Sequence, residues 1–293
     1  MAGVAFASLV VFAVYSAIAV LFAFLVQNPD AIRKLTSKSI YETEWKAENY
    51  FSDPKTVELC RAIEKQDVEE MQRIVDSGAD VNAKGKNNMP LLLWAYPAGE
   101  QGMECLLKNG ADPNVILESS YGAPFEIVSI GSTLLHTAVI SSLGGEAKFE
   151  NYVDLLLKYG ADPNLGDKKP LLTASTFISN PNARKAFFSL INAGADINHT
   201  NGDGRSPVVL CIVPMSCDLI PYLLERGAVY ETNTPQGFAL QRVFYEIAIN
   251  NPEKLNAYSE KDRVYVKNAI KWLEERGVSF DEPAPEPESL EKP

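Results

Sequence analysis

Two hydrophobic patterns divide the chain. Gly3–Val26, GVAFASLVVFAVYSAIAVLFAFLV, holds no charge and no proline. At 1.5 Å rise per residue such a helix crosses about 30 Å of hydrocarbon, so residues 1–26 are expected to form one transmembrane helix. Ser8, Tyr15 and Ser16 interrupt it mildly, because a serine hydroxyl can bond back to helix carbonyls. A cleaved secretory peptide would need a basic start and a shorter apolar core. Beyond the span, short apolar pairs recur: Ile74–Val75, Leu106–Leu107, Leu156–Leu157, Leu190–Ile191 and Leu223–Leu224. Each is followed three residues later by a glycine.

The glycine opens a signature: SGADVN, NGADPN, YGADPN and AGADIN, then the weaker RGAVYE and RGVSF. Gly78, Gly110, Gly160, Gly194, Gly227 and Gly277 lie 32, 50, 34, 33 and 50 residues apart. Ahead of the pairs stand helix-opening stretches: VELCRAI, MPLLLWA, TLLHTAV, KPLLTAS and SPVVLCI. A helix pair every 33 residues is predicted, with the glycine ending each second helix in the left-handed conformation. The Asp or Asn after it can bond its own backbone and shape the next turn. Both 50-residue intervals carry 17 residues of excess. They fall near 115–130 and 141–150 in the third repeat, and near 245–267 in the sixth, where an added or longer helix would cap the array.

A period near 33, with a Pro-Leu step opening one helix and LL-x-x-G-A-D closing the next, resembles the ankyrin-repeat family. The resemblance covers residues 55–280 as about six repeats. It implies an all-α solenoid with short β-hairpin-like loops, joined to the span by a connector over 27–54 and followed by a disordered acidic tail over 281–293. Trp45, Tyr50 and Phe51 in the connector, with Tyr41, either cap the first repeat or rest at the lipid interface. His136 takes the family's TPLH histidine position, which implies a structural hydrogen bond. Ala62, Trp94, Ala138, Ala174 and Cys211 share the position where the family usually has alanine. Trp94 is therefore either a buried wedge or an exposed binding anchor. Gly78, Gly110, Gly160, Gly194 and Gly227 are structural.

Charge and candidate chemistry narrow the function. A net charge of -11 argues against wrapping nucleic acid, which requires phosphate neutralisation. Cys60, Cys105, Cys211 and Cys217 form no CxxC and read as small buried thiols. His136 and His199 are the only histidines, and neither has a second ligand at metal spacing. No HExxH, GxSxG, phosphate loop or dinucleotide fingerprint occurs. The recurring Asp80, Asp112, Asp162 and Asp196 come one per repeat, as a structural role requires. No enzyme, cofactor or metal is expected.

What remains is a protein-binding module tethered to a bilayer through residues 3–26, an adaptor for one protein partner. Candidate contacts are Lys86, Asn87 and Tyr96 early in the array, and Lys168, Asp203 and Arg205 at later hairpin tips. In the third-repeat insertion Tyr121 and Phe125 lie between Glu118 and Glu126, as an apolar anchor in an acidic rim or as cover for the solenoid edge. The degenerate repeats and single N-terminal span also resemble bacterial membrane-associated ankyrin proteins, some of which neutralise phospholipase-type toxin effectors. That resemblance implies a single-pass protein of the bacterial inner membrane. No Lys or Arg precedes the span, whereas Arg33, Lys34, Lys38 and Lys46 follow it, which favours a cytoplasmic repeat domain. The effector role favours a periplasmic one, so both sides stay open.

Overall fold

The computed structural model describes residues 45–119, 121, 130–145, 149, 151–202, 204–212, 216–230 and 235–282. Gly3–Val26, most of the connector, Phe125, Glu126, Asp203 and nearly all of the acidic tail lie outside the described residues. Among the described residues no helix is long and apolar enough to cross a membrane. Contacts divide the chain into two compact units. Unit 1 takes residues up to Ile130 together with Ser141–Asn151, and unit 2 takes Gly131–Ile140 and everything from Tyr152 onward.

Unit 1 begins with α1 (Ala47–Tyr50), α2 (Pro54–Glu64) and α3 (Val68–Asp76), and continues with α4 (Leu91–Ala95) and α5 (Glu100–Lys108). Local chemistry sets the ends. Asp53 caps α2 by accepting from the Thr56 amide at 2.8 Å, with Pro54 at the first helical position. Asp67 caps α3 through the Glu70 amide at 3.0 Å. First helices pack on first helices (α2 on α4) and second on second (α3 on α5). Between them lie Leu59, Ile63, Met71, Ile74, Leu92, Met103 and Leu106, all buried. Burying each such side chain contributes roughly 1.5–3 kcal/mol, and no single helix pair encloses that face alone.

Unit 2 contains α6 (Leu134–Ser142) except its last two residues, α7 (Tyr152–Lys158), α8 (Pro170–Thr176) and α9 (Pro181–Asn192). It goes on to α10 (Pro207–Ile212), α11 (Leu219–Glu225) and α12 (Pro235–Phe244). The same two layers recur, α8–α10–α12 in one and α7–α9 and α11–α14 in the other. In the 245–267 insertion, α12 runs into a π-helical turn over Tyr245–Asn250, then a short α13 (Pro252–Leu255). There α14 (Glu260–Glu274) also begins, a 15-residue helix. Its Val266, Ala269, Ile270 and Leu273 are buried, so this excess supplies both an added helix and a longer one.

The recurring glycine closes every second helix in the same way. At Gly110 the glycine amide bonds the Leu107 carbonyl and the Ala111 amide bonds Leu106; at Gly194 the pairs are Ile191 and Leu190. The six glycines have φ between 87° and 95°. A Cβ at Gly110 or Gly194 would meet nothing within 4 Å, so the left-handed backbone, and not crowding, selects glycine there. Asp80, Asp112, Asp162 and Asp196 each accept from the amide two residues on, at 2.8–2.9 Å. The asparagine that ends the signature does something else: it reaches forward to the next repeat. Asn82 donates to the Gly110 carbonyl (3.0 Å) and accepts from the Asp112 amide (2.7 Å). Asn164 does the same to Gly194 and Asp196, and Asn198 to Gly227 and Val229.

Candidate functional site

In unit 1 one exposed edge gathers several of the candidate contact residues. Lys84 and Pro90 pair as an isolated antiparallel bridge, and Leu91 returns its amide to the Ala83 carbonyl. This hairpin turns over Lys86–Asn88, where Asn87 (φ 58°) and Asn88 (φ 56°) are both left-handed. Two left-handed residues in succession are what a two-residue hairpin turn requires, closed here by the Met89 amide on the Lys86 carbonyl, and asparagine tolerates that region better than most residues. Tyr121 Oη donates to the Asn87 carbonyl at 2.9 Å, and Asn88 Nδ2 donates to Glu118 at 2.7 Å. The stem of the third-repeat insertion therefore holds the hairpin tip. Lys86, Asn87, Asn88 and Glu118 stay exposed on it.

Beneath the edge lies an aromatic cluster. Trp94 is fully buried and stacks on Trp45, with centroids 5.2 Å apart and planes 24° apart. Tyr50 and Phe51 meet the same ring edge-on at 5.7 Å. Trp45 Nε1 donates to the Tyr121 carbonyl at 2.9 Å. Gly85 lets the hairpin lie on this cluster, since a Cβ there would come within 2.8 Å of the Tyr50 carbonyl. Burial raises the Glu64 carboxyl above the ordinary glutamate range, and the Trp94 indole N–H directed at it opposes part of that rise. A tryptophan at an alanine position is thus accommodated because Trp45, Tyr50 and Phe51 close around it.

Two candidates occupy places that differ from the contact role read in the sequence. Tyr96 is buried and stacks on Phe149 (5.4 Å, 19°), so it is core. Tyr121 is only 4% exposed and clamps Trp45 and Asn87; it positions the edge from below. Burial, then the Glu118 charge, pushes its phenol up from the usual tyrosine value. Phe125, Glu126 and Asp203 lie outside the described residues. In unit 2, Lys168 and Arg205 are exposed on separate hairpins. Lys169 beside the first bonds the Asn164 and Gly166 carbonyls, and the Arg205 amide bonds Asn201. Sequence reasoning missed the forward reach of the asparagines and the Trp45–Tyr121 bond. A signal existed for the first, an asparagine at one position in four signatures. None existed for the second, whose partners lie 76 residues apart.

Side chains with reactive chemistry are held in unreactive states. The four thiols are buried and free, and burial pushes Cys211 and Cys217 up to about 12, so neither supplies a thiolate near neutrality. His136 Nε2 lies 3.1 Å from Thr173 Oγ1, and burial lowers its pKa to about 4. It is neutral at pH 7. Among the described residues no group of three His, Cys, Asp or Glu side chains could hold a metal ion.

The ankyrin-repeat family model matches residues 130–168. No curated protein is similar to this chain. Among solved structures, the human ASB11 ankyrin repeat domain aligns over 76% of this chain and 85% of its own, at 20% identity and a TM-score of 0.46. The matched segment contains His136, α6, α7 and the Gly160 closure, and helix pairs elsewhere in the described chain repeat its capping bonds. Residues 130–168 are thus similar to an ankyrin repeat, and the described helices outside them form an all-α array with the same closing geometry.

Proposed function

We propose that this chain is a non-enzymatic adaptor, and that its principal contact surface is the unit 1 edge formed by Lys86, Asn87, Asn88 and Glu118. The observation that carries this reading is the pair of left-handed asparagines, held by Tyr121 and Glu118 with their polar groups still exposed. An exposed turn whose polar groups are fixed by neighbouring side chains before binding suits a contact surface, because less order has to be imposed on association. The partner is one protein. Residues 3–26 tether the adaptor to a bilayer as a single span, and the basic residues after it favour a cytoplasmic domain in a bacterial inner membrane.

Affinity capture from native membranes tests the reading. The full chain should retain one protein that the Asn88→Ala, Glu118→Ala double variant loses while its thermal melt stays within a few degrees. Equal capture by the folded variant refutes this edge. A recovered phospholipase-type effector would give the edge the neutralising role that the family resemblance implies. Removal of residues 1–26 should release the protein from membranes; a truncated chain that stays bound after a high-salt wash refutes the tether. A reporter fused after Pro293 reads the side, and a periplasmic signal overturns the cytoplasmic assignment.

A further inference from the structure

We propose that the outer face of α11 and α14 in unit 2 binds an acidic peptide segment whose carboxylates pair with Arg226 and Arg276. Both arginines immediately precede the closing glycine of their repeats, and each lies over the aromatic ring four residues earlier. The Arg226 guanidinium carbon stands 3.7 Å from the Tyr222 ring centroid, and that of Arg276 3.6 Å from Trp272. Each also donates one N–H to the carbonyl of that same aromatic residue, at 3.4 and 3.1 Å. Stacking and this single bond fix the side chain while leaving most of its donors facing solvent, where both residues are exposed.

The neighbouring cations on this face differ. Arg184 pairs with Asp218, and Lys185 pairs with Asp154 at 2.9 Å, so both are already neutralised. Among the described residues Arg226 and Arg276 are in no ion pair. Glu275, beside Arg276 in sequence, is 4.0 Å from Lys271. Within an acidic chain, two pre-set guanidiniums without carboxylates form the complement of an acidic ligand. Half-buried aromatic surface surrounds them: Phe188 meets Tyr222 edge-on at 5.3 Å, and Tyr230 meets Trp272 at 5.2 Å. α11 packs on α14, so the two arginines, at equivalent positions, stand on neighbouring helices whose axes are about 8–10 Å apart. In an extended polyproline-II segment, side chains three residues apart share a side at about 9 Å, a repeat on the scale of neighbouring helices.

The probe is a fluorescein-labelled (Glu-Pro-Pro)4 peptide, titrated by anisotropy against the full chain in detergent. The expected result is saturable binding, with a spectral change from the Trp272 indole, and none to (Gln-Pro-Pro)4. Arg226→Ala with Arg276→Ala should weaken binding at least about tenfold without lowering the melting temperature appreciably. Arg226→Lys with Arg276→Lys, which keeps the charge but loses the planar stacked fork, should weaken it several-fold. Absence of binding, equal binding of the glutamine peptide, or full affinity in either double variant overturns the proposal. The unit 1 edge is untouched by these variants, so failure here leaves the adaptor reading standing, and failure there leaves this one.

Discussion

The two units solve one packing problem with different side chains. At the position where unit 2 places Ala138, Ala174 and Cys211, unit 1 places Ala62 and then Trp94, and all five are buried. Unit 2 keeps that position small and sets aromatics on its outer helices, where Phe188, Tyr222 and Trp272 lie beside arginines. Unit 1 instead puts its indoles inside, Trp94 against Trp45. The backbone devices do not change between them: glycine closures, Asp turns and asparagine staples occur in both. Repeat geometry is therefore carried by a few local polar bonds. The side chain at the small position is free to vary where a neighbour can close around it.

The most forceful way to break this contrast is Trp94→Ala. It restores the small residue of the other repeats but leaves Trp45, Tyr50 and Phe51 around a void. Cavity formation should cost about 3–5 kcal/mol in urea denaturation. A loss below about 1 kcal/mol would mean that the cluster collapses freely and that Trp94 is not its keystone.

The next effect belongs to unit 2 alone. His136 titrates near 6.5 when unfolded and at about 4 in the fold, so the unfolded state binds the extra proton between those values. Stability is full above pH 6.5 and declines as pH falls toward 4, by about 3 kcal/mol in all. Carboxylates held below their ordinary values, such as Asp154 and Glu70, lose their contribution only below about 4.5. Glu64, whose carboxyl is raised by burial, contributes with the opposite sign above about 4.5, so the difference between parent and variant, and not the parent slope alone, reports the histidine. Melts of the His136→Gln variant should lack the parent's decline between pH 6.5 and 5; parallel slopes would remove the assignment.

How much of this was legible in the sequence follows from the range of each interaction. The helix pairs and their closing glycines were readable, because a left-handed C-terminus and an apolar pair are encoded within six residues. Asp80 and its equivalents were readable for the same reason. Partners about 30 residues away were not, so Asn82 and Asn164 looked like further turn residues when they join one repeat to the next. The candidate contacts were legible only as residue types. Lys86 and Asn87 were named at a hairpin tip and Glu118 in an acidic rim, but burial is decided by what packs against a residue. That is why the sequence offered Tyr96 as a contact and left Tyr121 open between anchor and edge cover, whereas both are buried. Trp94 stayed open between wedge and anchor until Trp45, far upstream, was seen covering it.

The staples allow a matched test across units. Asn82→Ala in unit 1 and Asn164→Ala in unit 2 each remove one donor and one acceptor between consecutive repeats. Both sites are exposed, so water replaces part of the loss and each should cost about 1–2 kcal/mol. Similar values would support the view that backbone devices are shared while side-chain packing is not. A cost confined to one unit would show that the aromatic cluster or the outer ion pairs bear the junction instead.

The smallest expected change in stability carries the most information about the edge. Tyr121→Phe deletes one hydroxyl and leaves the ring, so the Trp45 bond to the residue 121 carbonyl is kept. The lost bond ends on the Asn87 carbonyl of an exposed tip, which water can solvate, and the cost should be only about 0.5–1.5 kcal/mol. Asn87 and Asn88 nevertheless lose one of the two supports for their left-handed backbone. Hydrogen exchange at 86–89 should rise, while the hairpin carrying Lys168 in unit 2, held instead by the Asp167 amide on the Gly131 carbonyl at 2.8 Å, should exchange as before. Partner capture should fall more than the melting change accounts for, because an edge that must be reordered on binding forfeits its preorganisation. If exchange at the tip is unchanged, Glu118 alone holds the turn, and Tyr121 belongs to the core of unit 1 and not to its edge.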